Sequence, residues 1–191
     1  MTTDLDQFVK DATTTESLIE KVTVNHELLI SVMAISMSAG NMLDQIKKHV
    51  FYGKEYNEDK FVEEFMAIVG ALEVLKMALK ERDNEVEHGV DPRLFHAIVG
   101  IATESTELLE ALLTEEEELD TVNILEELGD LNWYQAIAID AIDGASYDNV
   151  LSTVITKLKN RYPNKFTSEA AINRDLDKER QVLKDNLLTK E

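Results

Sequence analysis

Turn residues are scarce in this chain, with 7 Gly and 2 Pro among 191 residues. An average protein carries roughly 7% Gly and 5% Pro. A sheet-rich fold needs a turn about every 8–12 residues, so this chain has too few breaks for many hairpins. Apolar residues fall instead at helical spacing, as in Leu28, Val32, Ile35, Met42, Leu43 and Ile46. That stripe stops near Lys47-Lys48-His49, and cationic residues suit a helix C-terminus. Val50 to Asn57, with Phe51, Tyr52, Gly53 and Tyr56, reads as a loop, and a second helix carries Phe61, Phe65, Ile68, Leu72 and Leu75. The uncharged run Leu28 to Leu43 is shorter than the ~18 residues of a spanning helix and reads as a buried one.

The clearest boundary is the polar stretch Arg82 to Arg93, where Asp91-Pro92 supplies an N-cap and a proline at the first helical position. Helical patterns follow over Leu94 to Leu113 and Val122 to Ile142, the second entered through Asp120 or Thr121, with the acidic connection Glu115 to Asp120 between them. Ser146 caps a helix carrying Val150, Leu151, Val154, Ile155 and Leu158, and Pro163 closes it. Thr167 or Ser168 caps a last, mostly charged helix through Asn173 to Arg180. Shifting Val32–Ile46 by 66 positions sets Ile35 on Ile101 and Leu43 on Leu109, and a shift of 63 sets Phe61–Phe65 on Ile124–Leu128. The two halves thus read as one repeated two-helix unit, although amphipathic helices of similar length also align by chance. The expected fold class is all-α, a helical bundle of two related helical-hairpin units. Its domains are residues 1–83, with a basic and aromatic loop at 47–56, and residues 91–191.

The formal charge of −19 excludes a general phosphate clamp for nucleic acid, which needs a basic footprint. Zero Cys removes disulfides, thiolate nucleophiles and zinc–sulfur sites. No signal peptide is legible at Met-Thr-Thr-Asp-Leu-Asp, so a cytoplasmic location is expected, the host cytoplasm if a phage encodes the chain. No membrane partner is expected either.

Between Glu104 and Asp130 lie eleven acidic residues and no Lys or Arg. Glu104 and Glu107 are i, i+3 neighbours on one helix face, and Glu127 and Asp130 repeat that spacing on the next helix. If the two helices form an antiparallel hairpin, the pairs meet as a four-carboxylate cluster. Converging carboxylates repel unless a cation lies among them. All-oxygen ligation favours Mg2+, with Mn2+ also suited, and such ions recruit polyphosphate oxygens. The plain alternative is a solvated acidic face.

Around these residues the sequence resembles the MazG-type all-α nucleoside triphosphate pyrophosphohydrolases, whose Glu-x-x-Glu and Glu-x-x-Asp pattern is matched by Glu104, Glu107, Glu127 and Asp130. Glu126-Glu-Leu-Gly-Asp-Leu-Asn-Trp-Tyr134 looks like the family's most characteristic segment, and Lys157-Leu-Lys-Asn-Arg-Tyr-Pro163 with Asn173–Arg180 is similar to phage-type members. The resemblance implies hydrolysis of a (d)NTP to (d)NMP and pyrophosphate, with Mg2+ on the four carboxylates and Glu104 or Glu107 acting on the water. It implies a nucleoside triphosphate substrate; a deoxynucleotide is expected if the chain serves a phage, and a homo-oligomer is expected. The family's basic loop, matched by Lys47-Lys-His-Val-Phe-Tyr-Gly53, lies here in the first half, where Ser38, Asn41 and Ala67 replace three of the acids. Lys47, Lys48 and Tyr52 are therefore expected to serve the substrate bound on the other half.

Lys157 and Arg161, i, i+4 on one helix, are further phosphate candidates or simple charge compensation. Trp133 and Tyr134 either stack on a base or belong to the core. Glu85-Val-Glu-His88 matches half of a di-iron element, but a second copy is absent. Competing functional readings are a related helical pyrophosphohydrolase acting on phosphoribosyl-ATP and a catalytically silent acidic scaffold.

Overall fold

The computed structural model describes residues 4–81, 84–113 and 119–188. Within them eight helices and one two-stranded sheet run in the order α1 (Leu5–Thr14), β1 (Val22–Asn25), α2 (His26–Tyr52), α3 (Glu58–Ala78), β2 (Glu85–His88), α4 (Pro92–Leu112), α5 (Thr121–Asp140), α6 (Tyr147–Arg161), α7 (Ser168–Ile172) and α8 (Leu176–Asn186). The all-α expectation is met. The acidic connection at residues 115–118, like Arg82, Asp83 and the first three residues, lies outside the described ones.

Local chemistry fixes the helix ends. Asp91 accepts a hydrogen bond from the Leu94 amide at 2.9 Å, and Pro92 opens α4. Asp120 caps α5 through the Val122 and Asn123 amides, while Ser146 accepts from Asn149 and Thr167 from Ala170. α2 continues through Val50, Phe51 and Tyr52, which the sequence places in a loop. Gly53 stops it at φ 68°, donating its amide to His49 O while Lys54 donates to Lys48 O. The single C-terminal helix expected from sequence is two, because α7 ends at Asn173, whose side-chain type competes with helical backbone bonding.

Two further differences are additions. α1 carries Leu5, Phe8, Val9 and Ala12 on one face, capped by Asp4. Glu85–His88 is a strand paired with β1, which disposes of its di-iron reading, since that element requires a helix.

The chain divides into two compact units, the first made of residues 4–22, Val90–Leu158 and 177–188, the second of Thr23–Gly89 and Lys159–Leu176. In the first, α1 packs on α5, and Ala12, Ala136 and Tyr147 form a core flanked by Phe8, Val9, Trp133 and Ile139. Tyr147 donates to Asn132 or Gln135 at its hydroxyl, and burial pushes its phenol pKa up. Arg93 ties this unit together, meeting both oxygens of Glu16 and Oδ2 of Asp140 at 2.7–3.0 Å. In the second, α2 packs on α3 as an antiparallel hairpin, with bonds from Asn57 to Gln45 and from Asn41 to Glu64 setting the register. α7 packs on α2 in the same unit. Among the described residues no helix is long and apolar enough to cross a membrane.

Candidate metal and nucleotide site

The α4–α5 hairpin positions the acidic residues. α4 meets α5 closely because Gly100 leaves room for the Tyr134 ring, and a Cβ at that position would run into it. This close approach sets Glu104, one turn beyond Gly100, opposite Glu127 and Asp130. One carboxylate oxygen from each of the three lies within 4.8 Å of the others. Glu104 and Glu127 are only 9% and 6% exposed, while Asp130 opens to solvent. Glu107 does not join this set, but its charge reaches Glu127.

Electrostatics record the crowding. Desolvation, a hydrogen bond with Glu104 and the charges of Glu107, Glu104 and Asp130 push the Glu127 carboxyl up to about 7. The Tyr134 phenol is raised as well, first by burial and then by the charges of Glu104, Asp130 and Glu107. Two buried acids facing a third are costly without a cation or a shared proton. The donor set is entirely carboxylate oxygen, the hard-ligand chemistry that suits Mg2+ or Mn2+.

Beside the cluster lies a cavity of about 280 Å³ lined by Pro92, Phe95, His96, Val99, Thr103 and Tyr134. Thr103 links it to the acids, its hydroxyl 3.4 Å from Glu104 Oε1. His96 crosses the Trp133 and Tyr134 rings edge-on, and its Nδ1 is buried without a hydrogen-bond partner among the described residues. His96 is not among the residues singled out from the sequence. The available signal was spacing, since His96, Gly100 and Glu104 descend α4 in steps of four.

Residues 96–166 match the family model of the MazG nucleotide pyrophosphohydrolase domain. That match covers 71 of the 191 residues. That domain is a hydrolase of phosphoanhydride bonds, and the match spans α4 from His96, all of α5 and all of α6. Comparisons with curated proteins and with solved structures return no significant match.

The remaining expected substrate contacts are placed as follows. Trp133 packs against the core of the first unit and donates to Thr15 Oγ1 at 2.9 Å, whereas Tyr134 lines the cavity beside the acids. Lys157 is on the part of α6 within the first unit. Lys47, Lys48, Tyr52 and Arg161 belong to the second unit, where they line one cavity.

Proposed function

We propose that the first unit is a Mg2+-dependent nucleoside triphosphate pyrophosphohydrolase that releases a nucleoside monophosphate and pyrophosphate. The observation carrying this is the convergence of Glu104, Glu127 and Asp130 within the segment that matches the MazG domain. Glu104, Glu127 and Asp130 would hold the divalent ion, with Glu107 at the edge of the set, and the ion would supply neutralisation of phosphate charge and polarisation of the scissile linkage. Glu107, exposed one turn beyond Glu104, orients the attacking water and takes its proton as the water oxygen bonds to the α phosphorus. The α–β bridging oxygen leaves with pyrophosphate.

The cavity beside Tyr134 takes the nucleobase, with Phe95 and Tyr134 as apolar walls and His96 Nδ1 as the polar atom that reads the base edge. Deoxynucleotides are the intended class, and Lys157 supplies a cation to the phosphates. Self-association covers apolar residues left exposed on α3, among them Val62, Phe65, Met66 and Leu72.

The test is direct. The protein is incubated with each ribo- and deoxynucleoside triphosphate and Mg2+, and the products are separated. Monophosphate plus pyrophosphate, lost in Glu107→Ala and Asp130→Ala, is the expected outcome. Diphosphate plus orthophosphate, or no turnover with any nucleotide, refutes the reading.

A further inference from the structure

The second unit contains a concentration of positive charge that the hydrolysis reading does not use. A cavity of about 400 Å³ is lined by Lys47, Lys48, Lys54, Arg161 and Arg174. Among the described residues lining it, Asp44 is the sole acid. Five of the chain's 19 basic residues thus converge in a protein whose formal charge is −19. Asp44 lies 2.7 Å from Lys47 and also pairs with Lys48, and those hydrogen bonds hold its carboxyl below the usual range.

A helix C-terminus alone explains Lys47 and Lys48, because cations offset the macrodipole there. It does not explain the others. Arg161 and Arg174 arrive from the segment Lys159–Leu176, more than a hundred residues further along the chain, which folds back so that α7 packs on α2. A concave surface with one sign of charge focuses its field and concentrates counter-ions even on a molecule of opposite net charge. Arginines add a planar donor fork that matches phosphate oxygens.

The walls are aromatic as well as cationic. Tyr52 and Tyr162 line the cavity, and both rest on Phe166, with ring centroids 5.6 and 5.3 Å away. The Arg161 guanidinium lies 5.6 Å from the Tyr162 ring centre. The volume falls in the roughly 300–1,000 Å³ range of small-molecule sites and exceeds what a single phosphate fills. We infer that the second unit binds a nucleoside polyphosphate through this cavity, with the five cations on the phosphates and the tyrosine walls against the nucleoside. This site neither needs a metal nor depends on the carboxylates hydrolysing anything.

Calorimetric titration of the full chain with an α,β-methylene nucleoside triphosphate, in EDTA and low salt, tests it. The methylene bridge blocks cleavage between the α and β phosphates, and EDTA removes metal-assisted binding at Glu104, Glu127 and Asp130. Saturable binding that persists in Asp130→Asn is expected. It should weaken by about tenfold or more in Lys47→Ala/Lys48→Ala/Arg174→Ala. Lys54→Ala, in the loop after α2, should weaken it in the same direction without touching a helix. Absence of binding in EDTA, its loss in Asp130→Asn, or unchanged affinity in both cation variants overturns the site. Pyrophosphate binding as tightly as the analogue overturns the nucleoside assignment.

Discussion

The α4–α5 and α2–α3 pairs are both helical hairpins, and they differ in the charge carried along their seams. In the first, Glu104, Glu127 and Asp130 crowd together, and burial with mutual repulsion drives the Glu127 carboxyl upward. In the second, the sequence alignment sets Ser38, Asn41, Glu64 and Ala67 where those acids and Glu107 stand. There Asn41 donates to Glu64 at 2.8 Å, an amide in place of a repelling carboxylate, and no cation is needed to hold the pair. Ser38 is buried at the position of Glu104 without adding charge. The contrast teaches that two helices at this spacing do not make a metal site. The substituents decide whether the seam is neutral or strained by charge.

The largest expected effect separates the hairpins outright. Asp130→Asn or Glu104→Gln should lower turnover by roughly a thousandfold, as loss of several kcal/mol of transition-state charge stabilisation requires. Glu64→Gln should change it by less than about twofold, as expected away from the reacting groups. Equal losses in steady-state assays would break the comparison. Ion pairing gives the next contrast. The Glu16 side chain, 1% exposed, depends on Arg93, so Arg93→Met should cost about 3–5 kcal/mol in denaturant unfolding. Asp44→Asn removes exposed pairs and should cost about 1 kcal/mol or less.

Close packing gives a smaller difference. Gly100→Ala forces the Tyr134 ring to move and should destabilise by about 1–3 kcal/mol while slowing hydrolysis. A Cβ at Gly40 in α2 meets nothing within 4 Å, so Gly40→Ala should be neutral or stabilise by up to about 1 kcal/mol.

The finest test is pH. The folded-state value for Glu127 is raised from 4.5 to about 7. Between these values the folded protein keeps a proton that the unfolded chain has lost, so this group's stabilisation is full at low pH and disappears as pH rises through about 7. Asp44 is lowered, so its contribution is present above the ordinary carboxyl value of 3.8 and is lost as pH falls below it. Melting temperatures in EDTA, compared between wild type, Glu127→Gln and Asp44→Asn, should show these opposite slopes. Added Mg2+ should flatten the slope due to Glu127 alone.

Much of the fold was legible in order. Asp91-Pro92, Asp120, Ser146 and Thr167 mark helix starts through local hydrogen bonds that a few neighbouring residues determine. Errors fell where local signals conflict with packing. The aromatic run Val50 to Tyr52 reads as a loop, yet it extends α2 until Gly53 supplies the left-handed cap. α1 is short and draws its stability from packing on α5. β1 and β2 are four residues each and nearly 60 apart, and only their pairing makes them strands.

By itself the sequence determined the helical class, the hairpin seams and the i, i+3 spacing of the acids, because helix periodicity and caps act over a few residues. Tertiary structure alone decided that Glu104 meets Glu127 and Asp130 while Glu107 stays at the edge, since that depends on how closely Gly100 lets α5 approach. It also decided that Arg161 and Arg174 join Lys47, Lys48 and Lys54 around one cavity. Charges far apart in the chain acquire a common field only when folding closes the distance between them.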